Sequence, residues 1–338
     1  MKQLYREERL MLEAEGYRLP AVLALPQGGE VKWRIVLLPG SMANDVDGNY
    51  PGTPMKPHLY ADLARQLAEK GHAVLRYAKY GAGTGAEIVD EQRVGAHPLF
   101  ARQRYIAEAA IRKLREMVPR AKGLAVAGHS EGSVHGMMVA QQAELGVDAF
   151  ISLSGPALRY MDLFIHKAQE MAKEQGEIID FGAFKVNATH YIRAFELMRA
   201  GKPFTEDIKA DPTMEFFVKS WDNDTPQARE GQQYMRDYDA VDPCIEITKV
   251  PCPVLVVQGG MDESGVHADN GERLYQARHA IYPATTQLAF FSDLQHFYKP
   301  VSPGTTWQEA QVMDGETDKR VGEAISVWLD GLKEERES

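Results

Sequence analysis

The chain is poor in what would mark a secreted, membrane-spanning or metal-bound protein. Two of its 338 residues are cysteine, Cys244 and Cys252 in "PCIEITKVPCPVL". Their spacing matches neither a CxxC redox pair nor a zinc knuckle, so the sequence predicts two reduced, partly buried thiols. No stretch approaches the roughly 18 uninterrupted apolar residues of a membrane span. The first residues, "MKQLYREERLMLEAEGYRLP", carry charges where a secretion signal needs an apolar run, so the expected location is cytoplasmic. Cations are outnumbered: 38 Lys and Arg stand against 48 Asp and Glu, for a net charge of −10. That argues against nucleic acid as a partner, because phosphate binding needs a basic face. None of the ten histidines falls in an HExxH-like spacing, so no metal is expected.

What is present is ordinary globular material, 44% hydrophobic and 25% charged. The first half alternates two kinds of segment. "REERLMLEAEG" and "YRLPAVLALP" read as paired strands turning at Gly16, and "WRIVLLPG" as a strand buried on both faces. "PHLYADLARQLAEKG" places Leu59, Leu63 and Leu67 at helical spacing and ends on Gly71, a glycine C-cap. Strand "HAVLRYAKY", helix "PLFARQRYIAEAAIRKLREM", strand "GLAVAGHS", helix "EGSVHGMMVAQQAEL" and strand "VDAFISLSG" follow. Such alternation predicts an α/β protein with a mostly parallel sheet covered by helices.

From about residue 156 to 250 the rhythm breaks. This segment is helical and charged, without a clear buried strand, and dotted with Met161, Phe164, Phe181, Phe184, Phe195, Met198, Phe216, Phe217 and Trp221. Strand "PVLVVQGG", helix "HADNGERLYQARHA", strand "QLAFFSD" and helix "DKRVGEAISVWLDGLKEE" then restore the pattern, before a fraying tail "KEERES". The expected organisation is a core of residues 1–155 and 251–338 with a helical lid at 156–250. An insertion at the carboxyl edge of a parallel sheet is expected to lie over the ligand crevice.

One short stretch carries chemistry. Gly128-His129-Ser130-Glu131-Gly132 reads G-x-S-x-G, follows an apolar strand and opens a helix. That is the setting of a nucleophile elbow. The serine of such a turn is strained and lifted clear, and side chains two residues before or after it would strike backbone. A serine hydroxyl needs a base, and the base needs an acid to orient it. In this elbow class they follow in the order serine, acid, histidine. Asp262, just past "PVLVVQGG", is the expected acid, with Glu263 in reserve, and His296 in "LQHFYKP" is the expected base. His129 is read as structural and His135, on the helix after the elbow, as packing.

An oxyanion hole needs two aimed backbone N–H groups. One is expected from Glu131, the residue after the nucleophile. The other is expected from Ser41 in "LLPGSMANDVDGNY", with Met42 as the alternative; Asp45 and Asp47 in that loop read as an Asx-turn network. "YGAGTGA" fits the dinucleotide pattern G-x-G-x-x-A at Gly81–Ala86, but "EIVDEQRVGAHP" after it is no clean helix start. Pyrophosphate binding needs that helix N-terminus, so no cofactor is expected.

"VLLPGS", "RYAKYGAGTG", "GHSEGS", "VLVVQGGMD" and "LQHFY" span most of the chain outside the insertion. In these pieces the chain resembles the α/β-hydrolases, in particular the bacterial dienelactone-hydrolase-like and serine-aminopeptidase-like esterases. The resemblance implies Ser130 as nucleophile, Asp262 as acid and His296 as base. Two positions depart from the family pattern: Pro39 stands where a histidine is usual before the oxyanion glycine, and Ser133 where glycine or alanine is common. The expected activity is hydrolysis of a small to medium, uncharged carboxylic ester through an acyl-enzyme. A peptidase, amidase or acyltransferase would use the same three residues, and a hydrolase fold kept as a receptor or scaffold is the non-enzymatic alternative.

Overall fold

The computed structural model describes residues 4–182, 184–221, 223–264, 266–302 and 304–332. The chain divides into two compact units. The first comprises residues 1–96, 103–157 and 244–338, and the second residues 97–102 and 158–243.

The strands among the described residues are Tyr5–Ala14 (β1), Tyr17–Pro26 (β2), Trp33–Leu38 (β3), Ala73–Tyr77 (β4), Glu87–Ile88 (β5), Gly123–His129 (β6), Ala149–Leu153 (β7), Ile178–Asp180 (β8), Lys185–Asn187 (β9), Val254–Gly259 (β10) and Thr286–Phe291 (β11). The first unit is built on a nine-stranded sheet in the order β1-β2-β4-β3-β6-β7-β10-β11, with β5 on β2. β2 is antiparallel to both of its neighbours, β1 and β4, and from β4 to β11 every pairing is parallel. The opening hairpin turns where the sequence placed it. Ala14 pairs with Tyr17, leaving Glu15 and Gly16 as a two-residue loop with φ of 53° and 80°. Two left-handed residues in succession suit the right-handed twist of the flanking strands.

The continuous apolar runs in the central strands follow from burial on both faces. Ile35, Leu37, Ala125, Ala127, Leu255 and Val257 face one core, which also takes Leu59, Leu63 and Leu67 of the helix Leu59–Glu69 and Val321, Ile325 and Leu329 of the helix Lys319–Gly331. Val36, Leu38, Leu124, Val126, Val254 and Val256 face the other, with Ile111 and Leu114 of the helix Leu99–Met117, Met137 of Glu131–Ala140 and Leu274 of Asp269–His279. Each strand thus alternates between two covered faces. The last predicted residues of the final helix, and the tail after it, lie outside the described residues. No helix among the described residues is long and apolar enough to cross a membrane.

The second unit is helical, with the helices Tyr160–Gln175, Ala188–Arg199, Glu206–Ala210, Glu215–Trp221 and Pro226–Asp239. Between the first two, β8 and β9 form a small antiparallel hairpin, which the sequence reading missed because three residues are too few to show alternation. Met161, Tyr191, Phe195, Met198, Phe204 and Phe217 are buried in this unit's own core. Phe164 stacks on Phe195 with ring centroids 5.1 Å apart. Arg199 reaches Asp239 at 2.7 Å and Asp162 at 2.5 Å, and the Asp239 carboxylate also accepts the Met161 N–H at 2.8 Å.

Candidate active site

The elbow is where the sequence reading put it. β6 ends at His129, Ser130 follows, and the helix Glu131–Ala140 begins at once. Ser130 sits at φ 53°, ψ −122°, a conformation that non-glycine residues rarely adopt and that costs on the order of 1–3 kcal/mol. Backbone bonds on both sides hold it there: its N–H donates to the Leu153 carbonyl at 2.8 Å, and its carbonyl accepts from Ser133 at 2.9 Å. The two motif glycines are required by space. A Cβ on Gly128 would lie 2.1 Å from the Gly132 carbonyl oxygen, and one on Gly132 would lie 2.5 Å from that of Leu38. Neither obstacle is a side chain that could turn away. Gly128→Ala is therefore expected to destabilise the protein by about 3 kcal/mol or more. Urea unfolding checks this: an unchanged midpoint would refute the steric account.

Ser133, one of the two residues that depart from the family pattern, has a place of its own. Its hydroxyl lies 2.7 Å from that of Ser152 on β7, and a Cβ on Gly155 would strike both oxygens.

His296 and Asp262, 34 residues apart, meet. Asp262 follows β10, and its Oδ2 lies 2.7 Å from His296 Nδ1. Gln258 Nε2 donates to the same oxygen at 3.2 Å, while the Ser264 hydroxyl donates to Oδ1 at 2.9 Å. The carboxylate is almost fully buried and acceptor-only, so the bond requires the proton on His296 Nδ1 and leaves the Nε2 lone pair available. Glu263, the reserve acid, is exposed. A tight turn shapes the loop that carries His296: Gln295 N–H donates to the Lys299 carbonyl and Tyr298 N–H to that of Gln295, with Tyr298 at φ 58°.

His129 packs between these parts. Its ring centroid is 4.7 Å from that of His296. Burial, reinforced by the neighbouring His296, holds its pKa well below the ordinary imidazole value, so the ring is neutral. Nε2 lies 3.1 Å from the His296 carbonyl, which can only accept, so that nitrogen carries the proton. Nδ1 is then an acceptor, 3.4 Å from the Tyr60 hydroxyl, which itself accepts the Gly40 N–H at 2.7 Å. His129 thus ties the His296 loop to the loop after β3. Sequence reasoning left this chain unread because its members lie 20 to 167 residues apart.

Gly40 abuts Ser130: a Cβ there would be 3.3 Å from Ser130 Cβ. Its own N–H is committed to Tyr60, so an oxyanion donor from this loop has to come later. Among the described residues no hydrogen bond uses the N–H of Ser41 or of Met42, and Met42 has φ 64°. Asp45 closes the loop as expected, accepting the N–H groups of Asp47 and Asn49 at 2.9 and 2.8 Å. Asp47 does something else, pairing with Arg76 at 2.9 Å. His135 is buried, but not as inert packing: its Nε2 lies 3.1 Å from Glu131 Oε1. The glycine-rich stretch at 81–86 runs through turns into β5 rather than into a helix, so it lacks the N-terminus a pyrophosphate would need. Cys244 and Cys252 form no disulfide among the described residues.

Three solved structures illustrate the likeness. The Pyrococcus furiosus esterase Pf2001 shares 12% identity at TM-score 0.54, over 96% of this chain and 91% of that one. Est1E from Butyrivibrio proteoclasticus with ferulic acid bound shares 16% at 0.54, over 96% and 98%. A thermostable carboxyl esterase from Bacillus coagulans in complex with glycerol shares 14% at 0.55, over 96% and 98%. At such identities the likeness is one of fold. No curated protein matches the chain. The sequence model of the alpha/beta hydrolase fold matches residues 49–295. That match takes in the elbow and five of the parallel strands, and with the sheet order around them it settles the lineage: the chain belongs to the alpha/beta hydrolase fold family.

Proposed function

We propose that the protein is a serine hydrolase that cleaves carboxylic esters, with Ser130 as nucleophile, His296 as base and Asp262 as the acid that orients it. The observation that carries this reading is the 2.7 Å bond from His296 Nδ1 to a buried Asp262, on a loop packed against a strained serine elbow. In the proposed reaction His296 Nε2 takes the proton from the Ser130 hydroxyl as Oγ attacks the ester carbonyl. The resulting oxyanion is received by the N–H of Glu131 and by that of Ser41, or alternatively Met42. The imidazolium returns its proton to the departing alkoxide, and the alcohol leaves. Water, deprotonated by the same nitrogen, then attacks the acyl-enzyme, and collapse of the second tetrahedral intermediate frees the acid and regenerates Ser130. Asp262 keeps the productive tautomer and stabilises the imidazolium.

The helical insertion is assigned in this reading as a lid, because the chain enters it just after the carboxyl end of β7 at Leu153. Phe195, Met198 and Phe217 of the insertion are spent on the helical unit's own core. The proposal therefore rests no chain length on them.

A series of p-nitrophenyl esters from acetyl to dodecanoyl tests the reading, and its profile measures the pocket. Turnover is expected on at least the short members. If no ester reacts faster than in buffer, the esterase assignment falls. Cleavage of anilides alone would point to a peptidase, transfer to an added alcohol to an acyltransferase, and tight binding without turnover to a receptor.

A further inference from the structure

Behind the elbow lies an ion pair that the chemistry above does not use. Lys79, two residues past β4, is buried, and its ammonium lies 3.1 Å from Glu131 Oε2, whose side chain is fully buried. The same nitrogen donates to the Gly40 carbonyl oxygen at 3.0 Å. Its backbone is anchored too, with the Lys79 N–H on the Asn44 carbonyl at 3.0 Å. Burying two charges costs several kcal/mol of desolvation per ion, and an apolar pair could fill the space without that cost. The geometry offers a reason to keep them. The Gly40 carbonyl and the Ser41 N–H belong to one planar trans peptide, so they point in opposite directions. An ammonium that holds the carbonyl on one side turns the Ser41 N–H to the other. It also polarises that peptide, which strengthens the N–H as a donor. Glu131 supplies the second expected donor from its backbone, and its side chain is what Lys79 grips. Without the ammonium, a buried carboxylate would stand beside the place where negative charge develops.

We propose that Lys79 is the positioning residue of the oxyanion hole: its ammonium, bound at once to the Gly40 carbonyl and the Glu131 carboxylate, fixes the two segments whose N–H groups receive the ester oxygen in the transition state. The proposal rests on the reading of Ser130 as nucleophile. Lys79 touches no substrate atom; it acts through the peptide it holds and the charge it offsets.

The test uses Lys79→Met, Lys79→Arg and the paired Lys79→Met/Glu131→Leu variant, in which no buried charge is left alone. For each, kcat and KM on p-nitrophenyl butyrate, the affinity for an alkyl trifluoromethyl ketone and the melting temperature are measured. The ketone adds the Ser130 oxygen at its carbonyl carbon while His296 takes the proton, leaving an oxyanion in the hole. Lys79→Met is expected to lower kcat by about 10²- to 10³-fold, with KM changed by less than about threefold and ketone affinity falling in parallel with kcat. Lys79→Arg is expected to restore at least about a tenth of the wild-type kcat, since the guanidinium can bond the same two oxygens. The paired variant is expected to recover a melting temperature that Lys79→Met lowers by roughly 5–10 °C, yet not kcat. Recovery of kcat together with the melting temperature would reduce Lys79 to a stabilising residue and overturn the proposal. So would a folded Lys79→Met enzyme within threefold of wild type. An inert wild type overturns both this proposal and the hydrolase reading, whereas failure of the Lys79 proposal alone appears only in variants of an active enzyme.

Discussion

Ester turnover by Ser130→Ala is expected to fall by about 10⁴- to 10⁶-fold, the largest effect of any single change in this protein. In the proposed reaction the serine oxygen forms the acyl bond, and alanine leaves nothing to replace it. The turn itself should survive, because the strain at φ 53° is borne by backbone bonds to Leu153 and from Ser133 that alanine keeps. The oxyanion donors remain as well, so residual catalysis above the uncatalysed rate is expected from them. Substrate binding needs no Oγ, so KM should change little while kcat carries the loss. The check is a steady-state comparison at matched folding, with the amount of active wild type fixed by titration with a fluorophosphonate. A Ser130→Ala enzyme within tenfold of wild type would remove Ser130 from the chemistry altogether.

The second large effect is expected at Asp262. Asp262→Ala should lower kcat by about 10⁴-fold. Asp262 supplies the acceptor that keeps the His296 proton on Nδ1; without it the tautomer with its proton on Nε2, which cannot act as base toward serine, is no longer disfavoured. The imidazolium of the proposed transition state would also lose its buried counter-charge. Four donors converge on the carboxylate, His296 Nδ1, Gln258 Nε2 and the N–H and hydroxyl of Ser264, and removing it takes an acceptor from each. A modest loss of stability should therefore accompany the loss of rate. Glu263→Ala is the control, since that side chain is exposed and is expected to leave kcat within about threefold. If Glu263→Ala is the crippled variant and Asp262→Ala is not, the assignment of the acid is wrong.

The sequence on its own determined the parts that depend on short-range pattern. Strand and helix order was legible because burial on both faces writes continuous apolar runs such as "IVLL", and helices against the sheet write the spacing of Leu59, Leu63 and Leu67. The elbow was legible for a steric reason: only glycine fits at 128 and 132, so the constraint is written in residue identity. The short β8–β9 hairpin was not legible, since each strand is too brief to alternate.

What only the tertiary structure decided is which polar groups meet. Asp262 and Glu263 are adjacent carboxylates with the same local signal, and only the fold shows that Asp262 meets His296 while Glu263 is exposed. His129 reads from the sequence only as structural, and the fold sets its ring between the carbonyl of His296 and the hydroxyl of Tyr60. Lys79 stands in "RYAKYGAGTG", a stretch that names none of its partners. Its partners, Gly40 and Glu131, come from the ends of β3 and β6, strands that are neighbours in the sheet and far apart in the chain. Local periodicity reports burial, because burial acts on each residue separately. Hydrogen bonds and ion pairs join residues that no fixed spacing relates, and the fold alone brings them within bonding distance.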